Sequence, residues 1–304
     1  MGTVKKLKVA ILGTGNIGTD LLVKCQRSEY LTCTLFAGRN LNSIGMTKAA
    51  NARVKISDRG LEALERDPDG FDLVFDATSA AAHKHNWPVL ERMRKMVIDM
   101  TPSDIGKRCV PAINLAECLD HGNINMVTCG GQASIPIAHV IGQTFGDVEY
   151  IEVVSSIASR SAGPATRINL DEYIDTTEGA LAAFSGAKRA KAILILNPAV
   201  PCIDMQTTIF TRVRDGDLAK LIPAVEAMVG RISRYVPGYR LVVPPVIEGE
   251  RLVVMVKVTG LGDFLPSYAG NLDIINCAAI AAAEEFAKTK HAVQGDLAEP
   301  GRSV

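Results

Sequence analysis

The sequence predicts an α/β fold: an N-terminal Rossmann-type parallel sheet, followed by a second α+β domain carrying a largely antiparallel sheet. Three observations carry this. A strand, a GxGxxG turn and a helix open the chain; short apolar strands then alternate with helices to about residue 125; beyond that, long β-rich runs replace the alternation.

Residues 7–12 read as a buried strand, and Gly13-Thr14-Gly15-Asn16-Ile17-Gly18 lead from it into helix-like sequence. In that context Gly13 permits the tight turn, Gly15 lets backbone approach a pyrophosphate, and Gly18 lets helix and strand pack closely. A nicotinamide cofactor is expected. The second strand, residues 32–37, ends in Gly38-Arg39-Asn40, where no carboxylate stands to grip the ribose of NAD. Arg39 accommodates a 2′-phosphate and Asn40 a free hydroxyl, so the loop admits NADP as well as NAD.

The alternation continues with a helix at 49–53, strand 54–56, helix 60–66, strand 71–76, helix 88–94 and strand 96–100. Strand ends carry Ala77-Thr78-Ser79 and Thr101-Pro102-Ser103, on the side of such a sheet where ligands bind. His83 and His85 form an HxH pair, but no further Cys or His completes a ligand set nearby. They are expected to cap the following helix, and no metal site is expected.

Cys129 sits where a short apolar run, Met126-Val127-Thr128, gives way to Gly130-Gly131 and a helical stretch. A thiol in the first turn of a helix feels the positive end of the peptide dipole, and neighbouring N–H groups can receive an oxyanion. The other reading of the same residue is a buried free cysteine. Between His139 and His291 there is no histidine, so a base aiding Cys129 from the second domain would be a carboxylate or water.

The β-rich runs at 148–159, 192–196, 206–213 and 251–258, with helices at 171–185 and 217–233, make the second domain α+β. A final helix at 271–288 is Ala-rich and apolar on most faces, so it is expected to pack back on the first domain. Residues 289–304 read as a loose tail.

The chain has 304 residues, 33 basic and 33 acidic, with one Trp and no basic run, which gives no electrostatic footprint for nucleic acid or an anionic membrane. Seven cysteines without a CxxC pattern fit reduced thiols in a cytoplasm. No apolar run is long enough to span a bilayer.

Taken together, residues 13–22, 75–80 and 126–136, Ser161-Ala162-Gly163-Pro164, Asn197-Pro198-Ala199 and residues 260–273 resemble the acylating acetaldehyde dehydrogenases of aromatic meta-cleavage pathways. The resemblance covers nearly the whole chain. It implies oxidation of acetaldehyde or another short aldehyde with NAD and coenzyme A to acetyl-CoA and NADH, through a thioester on Cys129. It also implies a cofactor site formed by Gly13, Thr14, Gly15, Asn16 and Ile17, by Ser161, Ala162, Gly163, Pro164, Ala165, Thr166, Arg167, Ile168 and Asn169, and by Asn271. The expected organisation is a dinucleotide-binding domain at 1–130 completed by helix 271–288, and a catalytic and dimerisation domain at 131–270. A homodimer is expected, with a 4-hydroxy-2-oxovalerate-type aldolase passing acetaldehyde through a channel.

Two positions depart from the family pattern. Thr207 stands where relatives carry an Asp proposed as base, and Ala165 where many carry Gly. Thr207 accepts no proton at neutral pH, and Asp204, three residues away in an extended chain, is expected on the opposite face. The competing readings are a phosphorylating semialdehyde dehydrogenase, which ordinarily needs a histidine in the second domain, and a non-catalytic NAD-binding interaction protein.

Overall fold

The computed structural model describes residues 6–213 and 217–297, leaving out the side chains of residues 164, 165 and 292–297. The first sheet comprises β1 (Leu7–Leu12), β2 (Leu31–Ala37), β3 (Lys55–Ser57), β4 (Leu73–Asp76), β5 (Met96–Asp99), β6 (Lys107–Arg108) and β7 (Asn123–Asn125). Its order is β3-β2-β1-β4-β5-β7-β6, with every pair parallel. The helices α1 (Asn16–Arg27), α2 (Ile44–Asn51), α3 (Leu61–Glu65), α4 (Ala80–Arg92) and α5 (Pro111–Cys118) connect these strands. Strands such as β4 and β5 are buried along their whole length, as a sheet covered on both faces requires.

From β7 the chain passes directly into α6 (Cys129–Phe145), and then into the second sheet. That sheet consists of β8 (Tyr150–Ala158), β9 (Arg189–Asn197), β10 (Met205–Arg212), β11 (Tyr239–Glu248) and β12 (Arg251–Val258), ordered β11-β12-β10-β8-β9. Only β8 and β9 pair in parallel; the other neighbours are antiparallel. The expected fold class is therefore borne out. One face of this sheet packs on α6 and on α9 (Leu218–Ser233), burying Ile209, Val254, Leu221 and Val225 in one core. Two helices, α7 (Pro164–Ile168) and α8 (Leu170–Ser185), lie between β8 and β9. The last helix, α10 (Gly270–Leu297), returns to the first sheet, where Ala278, Ala282 and Ala283 share a core with Val9, Ile11 and Leu21.

Several element readings need correction. Helix α4 begins at Ala80 rather than at residue 88, because Ser79 caps it by accepting a hydrogen bond from Ala82 N, and Pro88 sits inside it. His83 does not cap this helix; it lies within α4, its buried ring turned to Asp76 and Asn123 of the sheet. Helix α10 continues to Leu297, so the loose tail expected from Thr289 is helical at least that far. Gly295, a helix-weakening residue, is tolerated within it.

A buried ion cluster ties α10 to α1. Lys24 Nζ lies 2.9 Å from Asp20 Oδ2, 2.9 Å from Asp263 Oδ2 and 2.7 Å from Asp273 Oδ1. Burial works against the ammonium charge, but the acidic groups of Cys277, Asp20 and Asp273 outweigh it and raise its pKa above the ordinary lysine value. Lys24 is the cation among these three carboxylates.

Candidate active site

At the carboxyl ends of the parallel strands, Gly13 takes φ +110°, and a Cβ there would meet Ala77 O at 2.4 Å, so only glycine allows this turn. A Cβ on Gly15 would meet nothing within 4 Å, which leaves open space in front of the first turn of α1. That space continues as a cleft of about 460 Å3 running past Gly38, Arg39 and Asn40 to Thr78. Exposed amides at a helix start, free of side chains, fit a pyrophosphate. Thr78 also borders a second, smaller cavity of about 70 Å3, lined by Ile17, Cys129, Thr166, Asn169 and Asn271 among others. Thr78 thus stands between the cleft at the dinucleotide turn and the cavity that Cys129 lines.

Cys129 is the first residue of α6, and Thr128 caps that helix by accepting from Gly131 N at 2.8 Å. Burial pushes the Cys129 thiol up to about 11, although the Tyr173 hydroxyl and the amides of Gly130 and Cys129 itself hydrogen-bond the sulfur and pull the other way. Beneath it, Val127 is held at φ +60°, a region costly for a β-branched residue. Its N–H donates to Asn125 Oδ1 at 2.8 Å, and Asn125 Nδ2 donates to Asp99 Oδ2 at 2.8 Å. Asp99, pushed up to about 6 by burial, also accepts from Ser103 Oγ at 2.5 Å. His83 belongs to this buried layer: its ring pairs with Asp76 Oδ2 at 2.9 Å and Asn123 Nδ2 at 3.1 Å.

The expected cofactor residues divide into two sets. Gly13, Thr14 and Gly15 border the cleft, and Asn16 opens α1. Ile17, Thr166, Asn169 and Asn271 border the thiol cavity. Asn271 is fully buried and neither its Nδ2 nor its Oδ1 has a partner, an amide left ready for a ligand. Several side chains of the 161–169 segment bond within their own loop. Ser161 Oγ donates to Ala158 O at 2.8 Å, Ala162 is in the core, and Arg167 holds its own loop through Ala162 O and Ser159. Ile168 is exposed, Gly163 stands near Asn16, and the side chains of Pro164 and Ala165 lie outside the described residues.

Asp204 is engaged by partners of its own. Its carboxylate lies 2.8 Å from Lys257 Nζ and accepts from Thr259 Oγ1 at 2.9 Å. Its pKa is lowered: burial opposes this, but Lys257 and Thr259 outweigh it. Asp204→Asn is expected to keep steady-state turnover within about threefold of wild type; a fall of about a hundredfold, the scale of a lost base, would place Asp204 in the chemistry.

Comparison with known proteins gives a consistent picture. Residues 129–266 match the family model described as prokaryotic acetaldehyde dehydrogenase, dimerisation. The chain is 62% identical over 289 residues to an acetaldehyde dehydrogenase of Pectobacterium atrosepticum, covering 94% of this chain and 98% of that protein. It is 58% identical over 287 residues to an acetaldehyde dehydrogenase of Spirochaeta aurantia, covering 94% and 97%. Among solved structures, aspartate semialdehyde dehydrogenase II from Vibrio cholerae, complexed with ASA, shares the fold with a TM-score of 0.61 at 16% identity, over 94% of this chain and 100% of that one.

Proposed function

The chain belongs to the acetaldehyde dehydrogenase family, and we propose that it is the CoA-acylating kind, converting acetaldehyde or another short aldehyde to acyl-CoA through a thioester on Cys129. The observation that carries this reading is that Thr78 borders both the cleft at the dinucleotide turn and the cavity that Cys129 lines. The Cys129 sulfur attacks the carbonyl carbon, an S–C bond forms, and the carbonyl π electrons move to oxygen. The unpartnered Asn271 amide lies at the same cavity and suits that oxyanion. Residues 13–17, Thr166, Asn169 and Asn271 would hold NAD, which when bound would supply the acceptor for the hydride lost from the carbonyl carbon as the oxyanion reforms C=O and leaves the thioester; Arg39 and Asn40 leave NADP admissible. Coenzyme A then takes the acyl group, returning the thiolate to Cys129. Exchange between two thiols keeps the thioester energy that hydrolysis would lose, so exclusion of water by Val127, Ile17 and Ile275 serves the reaction.

The same reading divides the chain into a cofactor domain, 1–130 with 271–288, and a catalytic and dimerisation domain, 131–270. The sheet face turned away from α6 exposes Ile193 and Ile195 of β9 and Val242 and Val246 of β11, suited to a second copy. The further partner is an aldolase that releases acetaldehyde during breakdown of aromatic compounds in the cytoplasm. Among the described residues no helix is long and apolar enough to cross a membrane.

The test is NADH and acyl-CoA formation from acetaldehyde with coenzyme A, without it, and with phosphate in its place. NADH is expected to accumulate catalytically only with coenzyme A. Equal turnover without it, or acyl phosphate formed from phosphate, would overturn the reading.

A further inference from the structure

Around Cys129, α8 and the second sheet supply three hydroxyls, whose role in the reaction depends on Cys129 being the nucleophile. Tyr173 of α8 is buried and turns its hydroxyl toward the start of α6, where a Cβ built on Gly130 would lie 2.0 Å from it and 3.1 Å from Ser155 Oγ. Glycine is required at 130 to admit this hydroxyl. The hydroxyl thus stands close to Ser155 Oγ, and Tyr173 lines the same small cavity as Cys129. Ser155 Oγ lies 3.0 Å from Thr207 Oγ1, the two residues being direct partners across β8 and β10. Ser155 and Thr207 are each 1% exposed, so water does not compete for these groups.

Each hydroxyl has one proton to donate. When Tyr173 donates to sulfur, its oxygen is satisfied by Ser155, and Ser155 by Thr207, so the chain of donors runs one way toward the thiol. Among the described residues it ends at Thr207, with no carboxylate or imidazole beyond, and so it has nowhere to deliver a proton. Burial holds the Tyr173 hydroxyl well above its ordinary pKa, which keeps it a donor.

We infer that Tyr173 is a catalytic residue that donates a hydrogen bond to the Cys129 thiolate, with Ser155 and Thr207 as positioning residues that polarise it. No proton is transferred along the chain. The O–H···S bond is strongest to the free thiolate, weakens as the sulfur lone pair forms the S–C bond, and strengthens again when coenzyme A displaces the sulfur.

The test is alkylation of the full-length enzyme by iodoacetamide across pH, without nucleotide, with the labelled residue identified by peptide mass. Tyr173→Phe is expected to slow labelling of Cys129 about tenfold to a hundredfold at about pH 8 and to move its pH profile upward, the scale of one lost hydrogen bond to a charged group. Thr207→Val is expected to act in the same direction with smaller size, and Thr207→Ser to restore the wild-type profile. In turnover, kcat is expected to fall with the labelling rate while KM for NAD stays constant. A wild-type labelling profile in folded Tyr173→Phe overturns the inference; if that variant does not fold, an unchanged profile in Thr207→Val overturns it instead. Labelling that bypasses Cys129, or turnover retained by Cys129→Ser, instead overturns the assignment beneath it.

Discussion

Cys129→Ser is expected to lower aldehyde oxidation by about 10,000-fold or more, the scale of losing a covalent nucleophile, while nucleotide still binds. The substitution exchanges one small side chain for another at the first residue of α6, where the fold is held by the Thr128 cap and by Gln132, which donates to Cys109 O and Met126 O. None of those bonds involves the thiol. A serine hydroxyl at that place is protonated at any working pH, and no residue among its partners is a base. The check is steady-state turnover alongside calorimetric NAD titration. Loss of both activity and binding would mean the helix start had collapsed, whereas retained activity would remove Cys129 from the chemistry.

The second large effect concerns stability. Lys24→Met is expected to destabilise the protein by about 3–5 kcal/mol, because it leaves buried carboxylates without their cation. Asp20 and Asp273 are 1% and 3% exposed, too far from water to be solvated instead. Carboxylates left unpaired in the fold take pKa values above their unfolded ones, so the folded variant binds more protons and gains stability as pH falls. Urea unfolding at about pH 7.5 and about pH 5 is expected to show the deficit shrinking at the lower pH. A loss under about 1 kcal/mol would show that the cluster relaxes into solvent.

The parallel half of the fold is legible because its strands announce themselves as short apolar runs with Gly-rich exits, and residues 7–18 alone specify strand, turn and helix. Strand β11 is not. Pro244 and Pro245 argue against a strand, and they are tolerated because β11 is at the sheet edge and shifts register twice against β12. Within the site, Cys129 and the residues 13–17 are readable from local motif chemistry. Tyr173 is hidden: on an amphipathic helix it reads as core, and only tertiary packing places it on the thiol. His83 is equally opaque, since its partners Asp76 and Asn123 lie on different strands. Thr166 and Asn169 reach the cavity, while Ser161 and Arg167 spend their hydrogen bonds on their own loop.

The return of α10 to the first sheet has a consequence for synthesis. Its Ile275, Ala278, Ala279, Ala282 and Ala283 complete the core begun by Leu7, Val9 and Ile11. A ribosome delivers the glycine-rich turn and its strands early and this helix only after the whole second sheet has emerged. The nascent first half therefore keeps an apolar face bare until Gly270 and its successors clear the exit tunnel, and a fragment ending near residue 130 retains that bare face permanently.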